Sequence, residues 1–190
     1  MENILLIGGG GHCKAVIDVI EQENRYHITG IVDKKESIGK KILGYEVIGC
    51  DNDLKDLYTK YTNAAITIGH IKTNDARVSL YKQLKRIGFT FPIIVSPLAY
   101  ISKHSTIDEG TVVMHHALIN AGVRVGKNCI INTKALIEHD CIIEDNCHIS
   151  TASVLNGGVT VKQNSFFGSN AVSKESIVID NFIKAGSIVK

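Results

Sequence analysis

A histidine between two carboxylates, Glu138-His139-Asp140, is the segment of this chain best suited to moving a proton. An imidazole titrates near neutral pH, so it can take a proton from an attacking amine or hydroxyl. A neighbouring carboxylate can hold the ring in one tautomer and stabilise the imidazolium as it forms. The residues alone leave a second reading open, a solvated histidine on an outer face. Another chemical segment lies near the N-terminus, at Gly8-Gly9-Gly10-Gly11-His12. It follows the apolar run Ile4 to Ile7 and precedes a helical pattern, so bare backbone N–H groups would meet a positive helix end, as in phosphate cradles. Gly8-x-Gly10 opens a dinucleotide fingerprint, but Cys13 takes the third glycine place. A tight strand-to-helix turn without a ligand therefore stays open. Asp33 stands about 25 residues beyond the first glycine, near the usual ribose-binding place.

The elements that must hold these residues fall into two halves. Up to residue 97 the chain alternates strand and helix patterns. Ile4 to Ile7, Ile28 to Val32, Tyr45 to Ile48, Ala64 to Ile68 and Phe91 to Val95 read as short buried strands. Val16, Ile17, Val19 and Ile20 have helical spacing, as do Leu54, Leu57, Tyr58 and Tyr61. Thr73-Asn74-Asp75 can cap a third helix carrying Leu80, Tyr81, Leu84 and Ile87. Such alternation predicts a small parallel sheet with helices on its faces.

After Pro97 the period becomes six. Large apolar residues lead twelve consecutive sixes: Ile101, Ile107, Val113, Ile119, Val125, Ile131, Ile137, Ile143, Ile149, Leu155, Val161 and Phe167. Four places on in each stands a small residue, from Ser105 and Thr111 through Cys129, Cys141 and Cys147 to Ala171. This is the pattern of a parallel β-solenoid. The large residue points inward from a short strand and the small one fits a tight corner. A β-sandwich would show period two and wider turn spacing. The frame breaks at Ser173 and resumes at Ile177, Ile183 and Val189, which predicts a loop insertion at 173–176 and a last coil after it.

The totals narrow the function classes. The 190 residues are 44% apolar and 21% charged with a net charge of +2, which predicts a packed protein without a nucleic-acid-binding face. No apolar run is long enough to span a bilayer and no signal peptide is expected. Five cysteines without a metal-type CxxC pair fit reduced, buried thiols in the cytoplasm. No metal is expected: adjacent His115 and His116 would point to opposite faces. His27, His70 and His104 are read as surface or loop residues.

Together, the glycine loop with His12, Asp33, Ile68-Gly69, Ile94-Val95-Ser96-Pro97 and Ile137-Glu138-His139-Asp140-Cys141 resemble one group of hexapeptide-repeat acyltransferases. These are the sialic-acid O-acetyltransferases and bacillosamine-pathway N-acetyltransferases. The resemblance implies a Rossmann-like nucleotide-sugar-binding domain over 1–97 and a left-handed β-helix over 98–190. It implies acetyl transfer from acetyl-CoA to the amino group of a nucleotide-linked 4-amino sugar by a homotrimer, for surface-glycan synthesis in the cytoplasm. It assigns catalysis to His139 as general base with Asp140 as orienter. It assigns substrate contacts to Gly10, Gly11, His12, Asp33, Gly69 and Asn132, and acetyl-CoA contacts to His148, Gly157, Ser169 and Gly186. O-acetylation of sialic acid or its CMP form is the second reading, and a non-catalytic solenoid scaffold the third. A nicotinamide dehydrogenase has only the glycine loop in its favour, because nothing after residue 97 resembles a second dehydrogenase domain.

Overall fold

In the computed structural model, which describes residues 1–71 and 73–190, the first strand sets the layers of the N-terminal half. Alternate residues of β1 (Glu2–Ile7) face opposite sides, as strand geometry requires. Ile4 and Leu6 pack on α1 (Gly11–Glu23) through Cys13, Val16, Ile17 and Ile20. Leu5 and Ile7 pack toward α2 (Leu54–Tyr58) and α3 (Asp75–Ile87) through Leu54, Leu80 and Leu84. With β2 (Tyr26–Val32), β3 (Lys41–Ile42), β4 (Tyr45–Gly49) and β5 (Asn63–Ile66), the sheet order is β3-β4-β2-β1-β5. All neighbours are parallel except the β3–β4 hairpin, which the sequence pattern did not reveal. The chain runs from β1 outward to β4 and then returns to the other side of β1. The strand order therefore reverses between β1 and β5, and a crevice opens beyond their carboxyl ends at Gly8 and the loop after Ile66.

The second half is a left-handed β-helix of two-residue strands stacked in three flat faces of six, six and five strands. The first face runs from Ile94–Val95 to Phe182–Ile183, the second from Tyr100–Ile101 to Ile188–Val189, and the third from Thr106–Ile107 to Val178–Ile179. In each pair the second residue points inward. Ile119, Ile131, Ile137, Ile149 and Leu155 are fully buried with Cys129, Cys141 and Cys147 in the corners. Burying each such large aliphatic side chain stabilises the fold by about 1.5–3 kcal/mol. The fourth place of each six, from Gly110 to Ser176, is left-handed, with φ between 54° and 75°. That conformation closes the corners and accounts for the glycines and asparagines found there.

Two expectations need correcting. Phe91 to Val95 does not close the N-terminal sheet: Ile94–Val95 pairs with Val112–Val113 and is the first strand of the β-helix. The frame does not slip at 173–176 either. Ser173 keeps the inward place, satisfied by the Asn156 N–H donating to its Oγ at 3.0 Å, and Ile179 follows six residues later. The slip is a shortening at Asp180–Asn181, which brings the strand Phe182–Ile183 in early. A polar inward residue had disguised a continuous frame.

The N-terminal sheet rides on the first face of the β-helix. Ile94, Val112 and Met114 complete the α1-side core. At one edge the Ser96 hydroxyl donates to His115 Nδ1 and His115 Nε2–H donates to Asp18 of α1, both at 2.7 Å. At the other, Asn74 before α3 donates to Asn164 Oδ1 at 3.1 Å, within a ladder that links Asn128, Asn146 and Asn164. Tyr81 and Lys85 donate to Glu109 at 2.9 Å.

Candidate active site

His139 occupies the corner between the second and third faces. Its Nδ1 lies 2.9 Å from Asp140 Oδ2, and a carboxylate there makes Nδ1 the protonated nitrogen and Nε2 the lone pair. Asp140 stands in a left-handed place (φ 60°), and its N–H donates to the Ala121 carbonyl at 3.0 Å. Glu138 turns away, accepting from Asn120 at 2.8 Å. The ring lies over Gly157 of the next coil: a Cβ on Gly157 would come 2.6 Å from Nε2. Only glycine leaves room for the imidazole there. The Gly157 N–H has no hydrogen-bond partner among the described residues. A histidine with a free ring nitrogen, its carboxylate partner and a spare backbone donor thus share one solvent-facing corner.

The other anticipated residues gather on the opposite side of the prism. His148 is the outward residue of His148–Ile149 on the first face, the face opposite the His139 corner. It is buried beneath the N-terminal half. Its Nδ1–H donates to the His70 carbonyl at 2.7 Å and its Nε2 accepts from Asn132 Nδ2 at 3.0 Å. Asn132, Ser169 and Gly186 line the corner between the first and second faces, Ser169 two coils beyond Asn132 and Gly186 one coil further. Gly186 N–H donates to the Ser169 carbonyl at 2.8 Å, and the Ser169 hydroxyl pairs with Ser150 at 2.9 Å. Within one chain, therefore, His139, Asp140 and Gly157 are not brought together with His148, Asn132, Ser169 and Gly186.

Gly10, Gly11, His12, Asp33 and Gly69 surround the crevice at the strand-order reversal. Gly10 and Gly11 are exposed, with open space where a side chain would stand. A Cβ on Gly9 would meet the Asp33 carboxylate at 2.7 Å, and one on Gly69 would meet His12 at 3.5 Å. The Thr67 hydroxyl donates to the Gly8 carbonyl at 2.5 Å, tying the two loops together. Beside them opens a cleft of about 530 Å³ lined by Gly8, Asp33, Lys34, Asp51, Asn52, Ser79 and Gln83. The last five escaped the sequence reading. Their signal is position: Lys34, Asp51 and Asn52 follow the ends of parallel strands.

The seam between crevice and β-helix is rich in nitrogen, and among the described residues no carboxylate bonds to its Arg77 or His148. Arg77, 1% exposed, donates to the carbonyls of Ile66 (2.7 Å), Ile68 (2.8 Å) and Asn128 (3.3 Å). Burial lowers it to about 10. Burial, with the charge of Arg77 added, holds His12 and His70 down to about 3 and His148 to about 4, so all three are neutral. His70, expected at the surface or in a loop, is in a loop but buried. Arg77 also went unread, although it sits with Leu80 and Leu84 on the inward stripe of α3. Among the described residues no His, Cys, Asp and Glu cluster could hold a metal, and no helix is long and apolar enough to cross a membrane.

Residues 3–84 match the family model described as PglD N-terminal domain. The whole chain superposes on PerB from Caulobacter crescentus, crystallised with CoA and GDP-perosamine, with a TM-score of 0.92 and 31% identity over 89% of that chain. A histidine-to-asparagine variant of perosamine N-acetyltransferase from the same organism, also with CoA and GDP-perosamine, gives 0.92 and 30%, covering 100% of this chain and 89% of that one. The acetyltransferase domain of PglB from Neisseria gonorrhoeae with acetyl coenzyme A gives 0.88 and 26%, covering 99% and 92%. No curated protein matches the chain in sequence.

Proposed function

The chain belongs to the hexapeptide-repeat sugar N-acetyltransferases represented by perosamine N-acetyltransferase, and we propose that it moves acetyl from acetyl-CoA to the amino group of a nucleotide-linked 4-amino sugar. The observation that carries this reading is the His139–Asp140 pair over Gly157. The neutral sugar amine attacks the thioester carbon. His139 Nε2 takes the amine proton, Asp140 steadies the imidazolium, and the unpartnered Gly157 N–H faces the charge that develops on the carbonyl oxygen. Collapse of the adduct breaks the C–S bond, and the thiolate of CoA receives the proton from His139. Holding both substrates in register supplies much of the rate.

The crevice takes the nucleotide end, with Gly10 and Gly11 at the phosphates and Asp33 at the ribose. This divides labour between the N-terminal sheet and the β-helix that begins at Ile94. The corner of Asn132, Ser169 and Gly186, with open space where a side chain on Gly186 would stand, suits the narrow pantetheine arm. The His139 corner and the His148 face lie on opposite sides of one prism, so a complete site needs the His139 corner of one copy against the Asn132 corner of another. A homotrimer satisfies this. The outward column of the second face supports it: Tyr100, Leu118, Leu136, Val154, Val172 and Ile188 are all apolar or aromatic, with Tyr100 60% and Ile188 76% exposed. Free thiols and two water-soluble substrates support a cytoplasmic setting.

The test is thiol release from acetyl-CoA with GDP-, UDP-, dTDP- and CMP-linked sugars and free sialic acid. Release that depends on a 4-amino sugar nucleotide is expected. Release only with sialic acid or its CMP form would replace N-acetylation by O-acetylation. Protein that binds acetyl-CoA yet releases no thiol with any acceptor would contradict the reading.

A further inference from the structure

We propose that His148 is a positioning residue: locked as its neutral Nδ1–H tautomer by the His70 carbonyl, it holds Asn132 so that the free N–H of the Asn132 amide meets a carbonyl oxygen of acetyl-CoA. The inference rests on the acetyl-transfer reading and deepens it.

His148 is the one polar side chain in the outward column of the first face, between Ile130 and Phe166. Such a ring is tolerated among apolar neighbours only if both nitrogens are paired. A carbonyl can only accept, so the 2.7 Å contact to His70 puts the proton on Nδ1. Nε2 is then a lone pair, 3.0 Å from Asn132 Nδ2. The Asn132 amide cannot be turned over, because its Oδ1 accepts from the Thr133 N–H at 2.8 Å. One amide N–H is spent on His148. The second has no partner among the described residues, and Asn132 is half-buried at the corner assigned to the pantetheine arm.

A direct role for His148 as donor to the thioester would need the proton on Nε2. That tautomer sets the Nδ1 lone pair against a carbonyl oxygen 2.7 Å away and the Nε2–H against an amide N–H, two mismatches in a buried place. An imidazolium fares no better, with Arg77 nearby and, among the described residues, no carboxylate bonded to the ring; burial already holds the ring down to about 4. The strut is anchored in the N-terminal half. Arg77 fixes the carbonyls of Ile66 and Ile68, and Thr67 is bonded to the carbonyl of Gly8. Hydrogen bonds thus tie the glycine loop to the strand end that leads into the loop of His70, whose carbonyl holds His148.

Two measurements test this, and neither needs the acceptor sugar. The first is ¹⁵N NMR of histidine-labelled protein at neutral pH, with and without acetyl-CoA. The expected signature for His148 is a protonated Nδ1 and a bare Nε2 in both states. A protonated Nε2, as the other tautomer or as imidazolium, would overturn the proposal. The second is acetyl-CoA affinity by calorimetry. Glutamine can place an acceptor oxygen where Nε2 stands, so His148→Gln should bind within about twofold of the parent. His148→Asn keeps only the donor to His70, and both it and Asn132→Ala should lose about tenfold, one hydrogen bond's worth. The double variant His148→Asn with Asn132→Ala should be no worse than either single change, because one acts through the other. Losses that multiply, or a glutamine variant as weak as the asparagine one, would overturn it. A parent protein that does not bind acetyl-CoA would overturn both the proposal and the acetyl-transfer reading. Binding without turnover would count against the latter alone.

Discussion

The chain holds two histidine centres, and they differ in almost every physical respect. His139 sits at a solvent-facing corner with its side chain 63% exposed, one carboxylate on Nδ1 and a free lone pair on Nε2. His148 sits in a buried seam with both nitrogens engaged, no carboxylate bonded to it among the described residues and a guanidinium close by. A ring that must take and return a proton has to be reachable and electrostatically able to charge. A ring that must hold a neighbour in place works best where charging is forbidden. The same side chain is therefore suited to act as a base in one setting and as a strut in the other.

The largest effect should come from the first centre. His139→Ala removes the base and should lower kcat about a hundred- to ten-thousandfold while leaving the dissociation constant of acetyl-CoA nearly unchanged. Steady-state rates paired with calorimetry check this, and a near-normal kcat would erase the distinction between the centres. Gly157→Ala tests the geometry. Its Cβ would meet the tip of the His139 ring rather than backbone, so the fold should survive with little change in Tm while the ring moves. A misplacement of about 1 Å costs about a hundredfold in kcat. Asp140→Asn keeps a residue tolerated at φ 60° but removes the charge behind the imidazole. It should cost about tenfold in kcat, less than removing the base itself.

The second centre should be visible in stability. His12, His70 and His148 are held below their unfolded value of 6.5 in the native state. Between that value and their folded values of about 3 to 4, the unfolded chain binds more protons. Stability is then complete above about pH 6.5 and falls as pH drops through this window, by roughly 1.4 kcal/mol per pH unit for each histidine. Urea midpoints across that range should show the slope. His148→Gln should reduce it by one histidine's share.

Much of this was legible before any coordinates. The period of six exposes the β-helix because a two-residue strand and a tight corner repeat the same steric demands in every coil. Large residues fill the interior and small ones the corners. The glycine run and Asp33 were legible because strand-end geometry makes demands on backbone type. What stayed hidden depended on polar groups satisfied across long separations. Ser173 broke the apolar pattern, but Asn156 from the preceding coil pairs with its hydroxyl. Arg77 looked like one more charged residue on a helix until the carbonyls of Ile66, Ile68 and Asn128 closed around it. The pairing of His148 with His70 spans 78 residues and runs through a backbone carbonyl, which no pattern of side chains records.

The division into two half-sites is tested most directly by mixing defective chains. Asp33→Ala should impair the nucleotide crevice and His139→Ala the catalytic corner, each in its own chain. Co-expressed, the two should form some interfaces in which an intact crevice meets an intact corner, about a quarter of them by chance pairing. The mixture should then regain about a quarter of the parent rate at low nucleotide-sugar concentration, well above either variant alone. Activity no higher than the average of the two variants would place the whole site within one chain and contradict the account.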